Sequence, residues 1–145
     1  MSMIYTALTN KAMILAYEAH KYQKDKAGIP YIFHPIHLAE QMHDEISTCV
    51  ALLHDVVEDT DMTIAQLEQM FPAEVIEAVK LLTRSKEQTY MDYIKCVKQN
   101  SIATEVKLAD LTHNMDETRI PQSEDREKIV SRLSRYKKAK AFLET

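Results

Sequence analysis

The chain has 145 residues, 46% of them hydrophobic and 28% charged, enough for one domain with a substantial core. It holds only one glycine and four prolines, whereas sandwiches, barrels and parallel α/β folds need many turn residues, so an all-α fold is expected. The net charge of −4 removes the broad basic face on which general nucleic-acid binding depends.

Cys49 and Cys96 have neither redox nor metal-ligand spacing and read as buried free thiols in a reducing compartment. Met1–Lys11 lacks the basic start and apolar run of a signal peptide. No apolar stretch approaches the roughly 20 residues needed to cross a bilayer. A soluble, cytoplasmic protein with no membrane partner is expected.

In chain order, the first helix is expected from about Thr9 to Gln23, with Ala12, Leu15, Ala16 and Ala19 on one stripe. The segment Lys24-Asp25-Lys26-Ala27-Gly28-Ile29-Pro30 ends it. Pro35 suits the first turn of a second helix, which leaves His34 just outside its N-terminus. Ser47 or Thr48 can cap a third helix running through Asp59, apolar enough from Cys49 to Val57 to lie at the centre. Thr63 and Gln66 form a plausible capping box for a short helix ending near Phe71, and Pro72 opens the next. Further helices fit Tyr90–Gln99 and Ile102–Asn114. The last runs from about Ser123 to Leu143, with Ile129, Leu133 and Tyr136 inward. No repeat or linker divides residues 1–145, so a single-domain helical bundle is expected.

The chemistry concentrates in Leu52-Leu53-His54-Asp55-Val56-Val57-Glu58-Asp59-Thr60, where ionisable groups interrupt a buried apolar helix. Burying such groups without partners is costly, so something must compensate them. On a continuous helix Glu58 stands one turn above His54, and Asp59 one turn above Asp55. Pairing with lysines across helix contacts would be the ordinary explanation, but two further acids one turn away favour an ion. A lone Asp110 breaks the apolar pattern of Val106–Leu111, with His113 and Asn114 three and four residues on, facing the same side. His34 offers an imidazole from the first loop. His34, His54, Asp55 and Asp110 make a mixed nitrogen and oxygen set that suits a six-coordinate divalent ion such as Mn²⁺ or Fe²⁺ better than structural zinc. Lys24, Lys26 and Lys107 are candidates for neutralising phosphate charge. His37 and His43 read as surface residues, and His20 as either a supporting or a packed residue.

These residues resemble a known family. Ala19-His20 through Gly28-Ile29-Pro30-Tyr31-Ile32-Phe33-His34-Pro35, then His54 to Thr60, then Lys107-Leu108-Ala109-Asp110 with His113-Asn114-Met115, are similar to HD-domain proteins of the Rel/SpoT kind, in particular stand-alone small alarmone hydrolases. The resemblance spans nearly the whole chain. It implies an all-α HD-type bundle and a divalent metal, usually Mn²⁺, on His34, His54, Asp55 and Asp110. It also implies a catalytic Glu58–Asp59 pair and removal of the 3′-pyrophosphate of guanosine tetra- or pentaphosphate to leave GDP or GTP. Lys26 matches a phosphate-contacting position and Asn114 a nucleoside-contacting one. Synthesis of the alarmone is not expected. Asp25, Leu111 and Asp116 stand where the family has basic residues, which keeps another phosphorylated nucleotide open as substrate, and nucleotide sensing without cleavage as a rival. Glu58 and Asp59 speak against sensing, which needs no general acid or base. The oligomeric state, a homo-oligomer included, and the places of Arg132 and Tyr136 stay open at this level.

Overall fold

The computed structural model describes residues 3–145, so Met1 and Ser2, part of the segment read for a signal peptide, lie outside it. Side-chain oxygens start most of its helices by accepting an otherwise free backbone N–H. Thr6 and Thr9 form a reciprocal capping box that begins α1 (Ala7–His20). Asp44 caps α3 (Glu45–Leu53), and Thr63 with Gln66 makes the expected capping box of α5 (Ile64–Glu68). Thr89, Asn100 and Asp125 cap α7 (Tyr90–Lys98), α8 (Ser101–Asn114) and α9 (Arg126–Glu144). The remaining helices are α2 (Phe33–Glu40), α4 (Val56–Asp59) and α6 (Ala73–Leu82), the last opened by Pro72 as anticipated. A 3-10 turn covers Glu117–Arg119. The described residues contain no strand; one antiparallel bridge, Lys24 to Pro30, closes the loop between α1 and α2.

The core gathers around α3. Every residue from Ser47 to Leu53 is buried, and the helix packs against α1, α2, α6 and α8. Burying a leucine such as Leu52 or Leu53 contributes about 1.5–3 kcal/mol, so this apolar stretch anchors the bundle. Among the described residues no helix is long and apolar enough to cross a membrane.

Several boundaries differ from the sequence reading. The third helix starts earlier because Asp44, not Ser47 or Thr48, is its cap: Asp44 accepts the Ser47 N–H at 2.8 Å, while the Thr48 hydroxyl bonds back to the Asp44 carbonyl at 2.7 Å. It also stops at Leu53 instead of continuing through Asp59. The His54 ring caps its end, Nδ1 lying 2.7 Å from the Ala51 carbonyl, and Asp55 leaves helical geometry at φ −108°, ψ 1°. His34 lies inside the first turn of α2, not before it; Pro35 is tolerated there because it lacks only an N–H that a first turn leaves free. The first helix ends at His20 and the last begins at Arg126. Of the two cysteines, Cys49 is buried and Cys96 only partly so; neither is in a disulfide.

Candidate metal and active site

The break between α3 and α4 turns His54 and Asp55 toward two other helices. His34 comes from α2 and Asp110 from the middle of α8, and both are buried. One ligand atom each from His34, His54 and Asp110 lies within 4.8 Å of the others, and a second group of the same tightness joins Asp55, Glu58 and Asp59. Asp55 links the two: its Oδ2 is 3.0 Å from His54 Nε2. The four residues singled out as metal ligands therefore do converge, with Asp55 nearer the acidic pair than to His34 and Asp110.

Hydrogen bonding prepares this cluster for a cation. With Nδ1–H of His54 given to the Ala51 carbonyl, Nε2 is the nitrogen left for a cation, which would compete there with a proton. That Nε2 is fully enclosed and has no hydrogen-bond partner; Asp55 Oδ2 at 3.0 Å and Asp110 Oδ1 at 3.8 Å are close without hydrogen-bond geometry. A buried nitrogen left without a partner among carboxylates fits a divalent ion, and two imidazoles with two carboxylates are a suitable donor set. His34 Nε2 lies 2.9 Å from Asp110 Oδ1. Its Nδ1 lies 2.7 Å from His113 Nδ1, with the two rings parallel within 5° and their centroids 5.0 Å apart. Those distances describe two imidazoles joined edge to edge in a common plane, not a face-to-face stack. His37 does lie over His113, at 4.0 Å between centroids.

The electrostatics follow from crowding. Burial would depress His54, but Asp55 and Asp110 outweigh it and lift it to about 9. Burial would raise Asp55, but His54 and a hydrogen bond from Tyr31 hold it at about 2. Asp110 is kept well below the usual carboxylate range despite burial, mainly by Lys107, whose Nζ is 2.9 Å from Oδ2. Asn114 adds a bond to Asp110 Oδ1 at 3.0 Å. Glu58 and Asp59 move the other way: burial, then the neighbouring carboxylates, raise both. Glu58 is aimed by the Arg84 N–H, which donates to its Oε1 at 2.7 Å. Burial, reinforced by the crowding of Arg119, lowers His113 to about 4.

Beside the cluster opens a groove of about 560 Å³. Lys24, Lys26 and Asn114 line it, with Asp59 and Tyr31 on the side of the cluster. Lys107 and His113 do not line it; Lys107 is spent on Asp110 and His113 on His34. Arg132 and Tyr136, whose places the sequence left open, border the groove, as does Arg119, a cation the sequence reading did not name. Arg132 and Tyr136 stand one turn apart on α9, a spacing visible in the sequence, but only the packing of α9 shows which side they face. Asp25 is mostly committed to its own loop, accepting the Ala27 and Ile29 N–H groups at 2.9 and 3.0 Å, and Arg119 lies 3.7 Å away. Asp116 caps the 3-10 turn that carries Arg119, and Leu111 is buried in the core. His20 is buried against Tyr31, its Nδ1 2.8 Å from Gln23 Oε1.

A buried His-Asp pair at a helix break, completed from two further helices, defines the class: the HD-domain family model matches residues 12–135, and the chain belongs to that family. Within it the similarity runs to Rel/SpoT proteins. The chain is 38% identical over 120 residues to the "Bifunctional (p)ppGpp synthase/hydrolase SpoT" of Escherichia coli K12, covering 72% of this chain and 17% of that protein. It is 33% identical over 139 residues to the "GTP pyrophosphokinase rsh" of Brucella melitensis, covering 86% of this chain and 18% of that protein. The chain thus spans under a fifth of these curated relatives. A solved structure described as a metazoan ortholog of SpoT that hydrolyzes ppGpp superposes with a TM-score of 0.80 at 26% identity, over 98% of this chain and 88% of that one.

Proposed function

We propose that this protein is a cytoplasmic, metal-dependent phosphohydrolase that removes the 3′-pyrophosphate of guanosine 3′,5′-bisdiphosphate or its pentaphosphate analogue, leaving GDP or GTP. The observation that carries this reading is the juxtaposition of a buried His34–His54–Asp110 cluster with Asp55, Glu58 and Asp59, at the side of a groove bordered by lysines and arginines. Similarity to Rel/SpoT relatives supports the choice of nucleotide. His34, His54, Asp55 and Asp110 would hold the ion, Mn²⁺ by preference, which when bound supplies Lewis acidity and charge neutralisation at a phosphoryl group.

The chain's own residues do the rest. Tyr31 and Lys107 fix the Asp55 and Asp110 carboxylates, so neither has to reorganise during reaction. Glu58 and Asp59, with proton affinities raised by burial, accept a proton from the attacking water and return one to the 3′-oxygen as its bond to phosphorus breaks. Lys24, Lys26 and Asn114 border the groove where the nucleotide lies. A second reading keeps the chemistry and changes the nucleotide: the Asp25 and Asp116 carboxylates border a groove meant for an anionic substrate.

The test is pyrophosphate release by Mn²⁺-loaded protein from guanosine 3′,5′-bisdiphosphate beside a panel of other phosphorylated nucleotides. Release from the alarmone, lost in Asp55→Ala, is the expected result. Turnover confined to another nucleotide would move the substrate, and no turnover with metal bound would sink the enzymatic reading.

A further inference from the structure

The α4 helix is a single turn, Val56–Asp59, and one turn does not hold itself, because it fixes many backbone dihedrals for almost no internal hydrogen bonds. Its last carbonyls need donors from outside the helix. The Thr60 hydroxyl serves that of Val56, and Gln23, just beyond the end of α1, serves that of Asp59: its Nε2 donates at 2.9 Å across 36 residues. Gln23 and Asp59 line the main groove, and both also line a second groove of about 420 Å³ with Thr60, Asp61 and Met62. Their hydrogen bond is thus the partition between two open spaces, where packing alone cannot fix the end of α4.

The Gln23 amide is itself held in one orientation. Since Nε2 donates to Asp59, Oε1 is the acceptor, and it lies 2.8 Å from Nδ1 of His20, which therefore carries the proton. The Gln23 backbone is fixed too, its N–H donating to the His20 carbonyl and its carbonyl accepting the Tyr31 N–H, each at 2.9 Å. His20 is 1% exposed and lines neither groove. Its other nitrogen, Nε2, is enclosed and has no hydrogen-bond partner. Burying an imidazole with one nitrogen unsatisfied costs free energy that an apolar ring would not, so the bond from Nδ1 to Gln23 is what the histidine contributes.

We propose that His20 and Gln23 are positioning residues for Asp59: the buried imidazole fixes the Gln23 amide, the amide fixes the end of α4, and the Asp59 carboxylate is thereby held in the orientation that its part in proton transfer needs. The inference deepens the phosphohydrolase reading and rests on it, since it takes Asp59 to act in the reaction. His20 works entirely through Gln23 and touches neither the substrate groove nor the reacting atoms.

The experiment is steady-state turnover of guanosine 3′,5′-bisdiphosphate and a panel of other nucleotides at saturating Mn²⁺, with circular dichroism and Tm compared for every variant. His20→Phe keeps a ring beside Tyr31 and removes the donor. It should lower kcat roughly 10- to 100-fold with KM within about twofold of the unaltered chain. His20→Asn loses the ring but restores a donor where Nδ1 stood, and should recover most of kcat; His20→Gln, whose amide reaches instead toward the place of Nε2, should not. Gln23→Met, at a half-buried position, should cut kcat as well, and adding His20→Phe to it should cost nothing more, because the two residues act in series. A further loss in the double variant, or better rescue by His20→Gln than by His20→Asn, overturns the positioning role. Alarmone turnover that His20→Phe leaves intact overturns this inference alone. Turnover confined to another nucleotide, with the same loss and rescue, upholds it and moves the substrate. No turnover of any nucleotide by the unaltered chain overturns it together with the phosphohydrolase reading.

Discussion

Two hydrogen bonds decide which nitrogen each site histidine turns toward the carboxylates. His54 is set by the Ala51 carbonyl and His34 by His113. An acceptor on the far side of a metal-bound imidazole typically contributes 10- to 100-fold in metal affinity. His113→Ala should therefore weaken Mn²⁺ binding by roughly 10- to 100-fold in a competition titration, and His113→Asn should recover most of it, because its amide oxygen can stand where Nδ1 stood. Glu58 carries the opposite kind of adjustment. Its raised pKa means that the folded chain holds this proton more tightly than the unfolded chain does. Ionised Glu58 thus costs stability at neutral pH, and the cost disappears as pH falls through the raised value. Glu58→Gln keeps an acceptor for the Arg84 N–H, so it should raise Tm in metal-free protein at pH 7 while cutting kcat by roughly 100-fold or more. A mutant that turns over normally would remove Glu58 from the proposed chemistry.

At the level of elements, caps and breaks carry the information. Asp44→Ala should cost about 1 kcal/mol, read as a lower urea midpoint, since it frees the Ser47 N–H at the start of the central helix. Gly28 turns the first loop at φ 84°, with open space where a side chain would sit. Gly28→Ala should then cost about 1–2 kcal/mol through backbone strain alone and loosen the loop that carries Lys26. Much at this level was legible: the Thr63–Gln66 box and the Pro72 start need only neighbours in sequence. The break at His54 was not, because apolar residues continue on both sides of it, from Cys49 to Leu53 and again at Val56 and Val57. Its cause is one side chain bonding to the carbonyl three residues back, and its consequence depends on Tyr31, 24 residues away, reaching Asp55. Periodicity carries no sign of either contact.

Across the whole molecule, the proposed ligands come from α2, the α3–α4 break and α8, with His34 and Asp110 76 residues apart, so only the folded chain offers them together. Mn²⁺ at 100 times its Kd should stabilise the fold by about 2.7 kcal/mol, seen as a rise in Tm that His34→Ala abolishes. The convergence of three distant segments was legible because each interrupts an apolar pattern with an ionisable residue. Of the groove's cations, Lys24 and Lys26 were legible in the first loop, whereas Arg119 was not and Arg132 could not be placed, since both lie among many charged residues of the C-terminal third and only packing separates them from ordinary surface charge. Beside Arg132, Glu124 holds Lys26 Nζ at 3.0 Å and both terminal nitrogens of Arg132 at 2.9 and 2.8 Å, so it ties the first loop to α9 at the border of the groove. Cutting that tie with Glu124→Gln should make the amides of the first loop and of the start of α9 exchange faster with solvent, while those of the central helix α3 exchange as before.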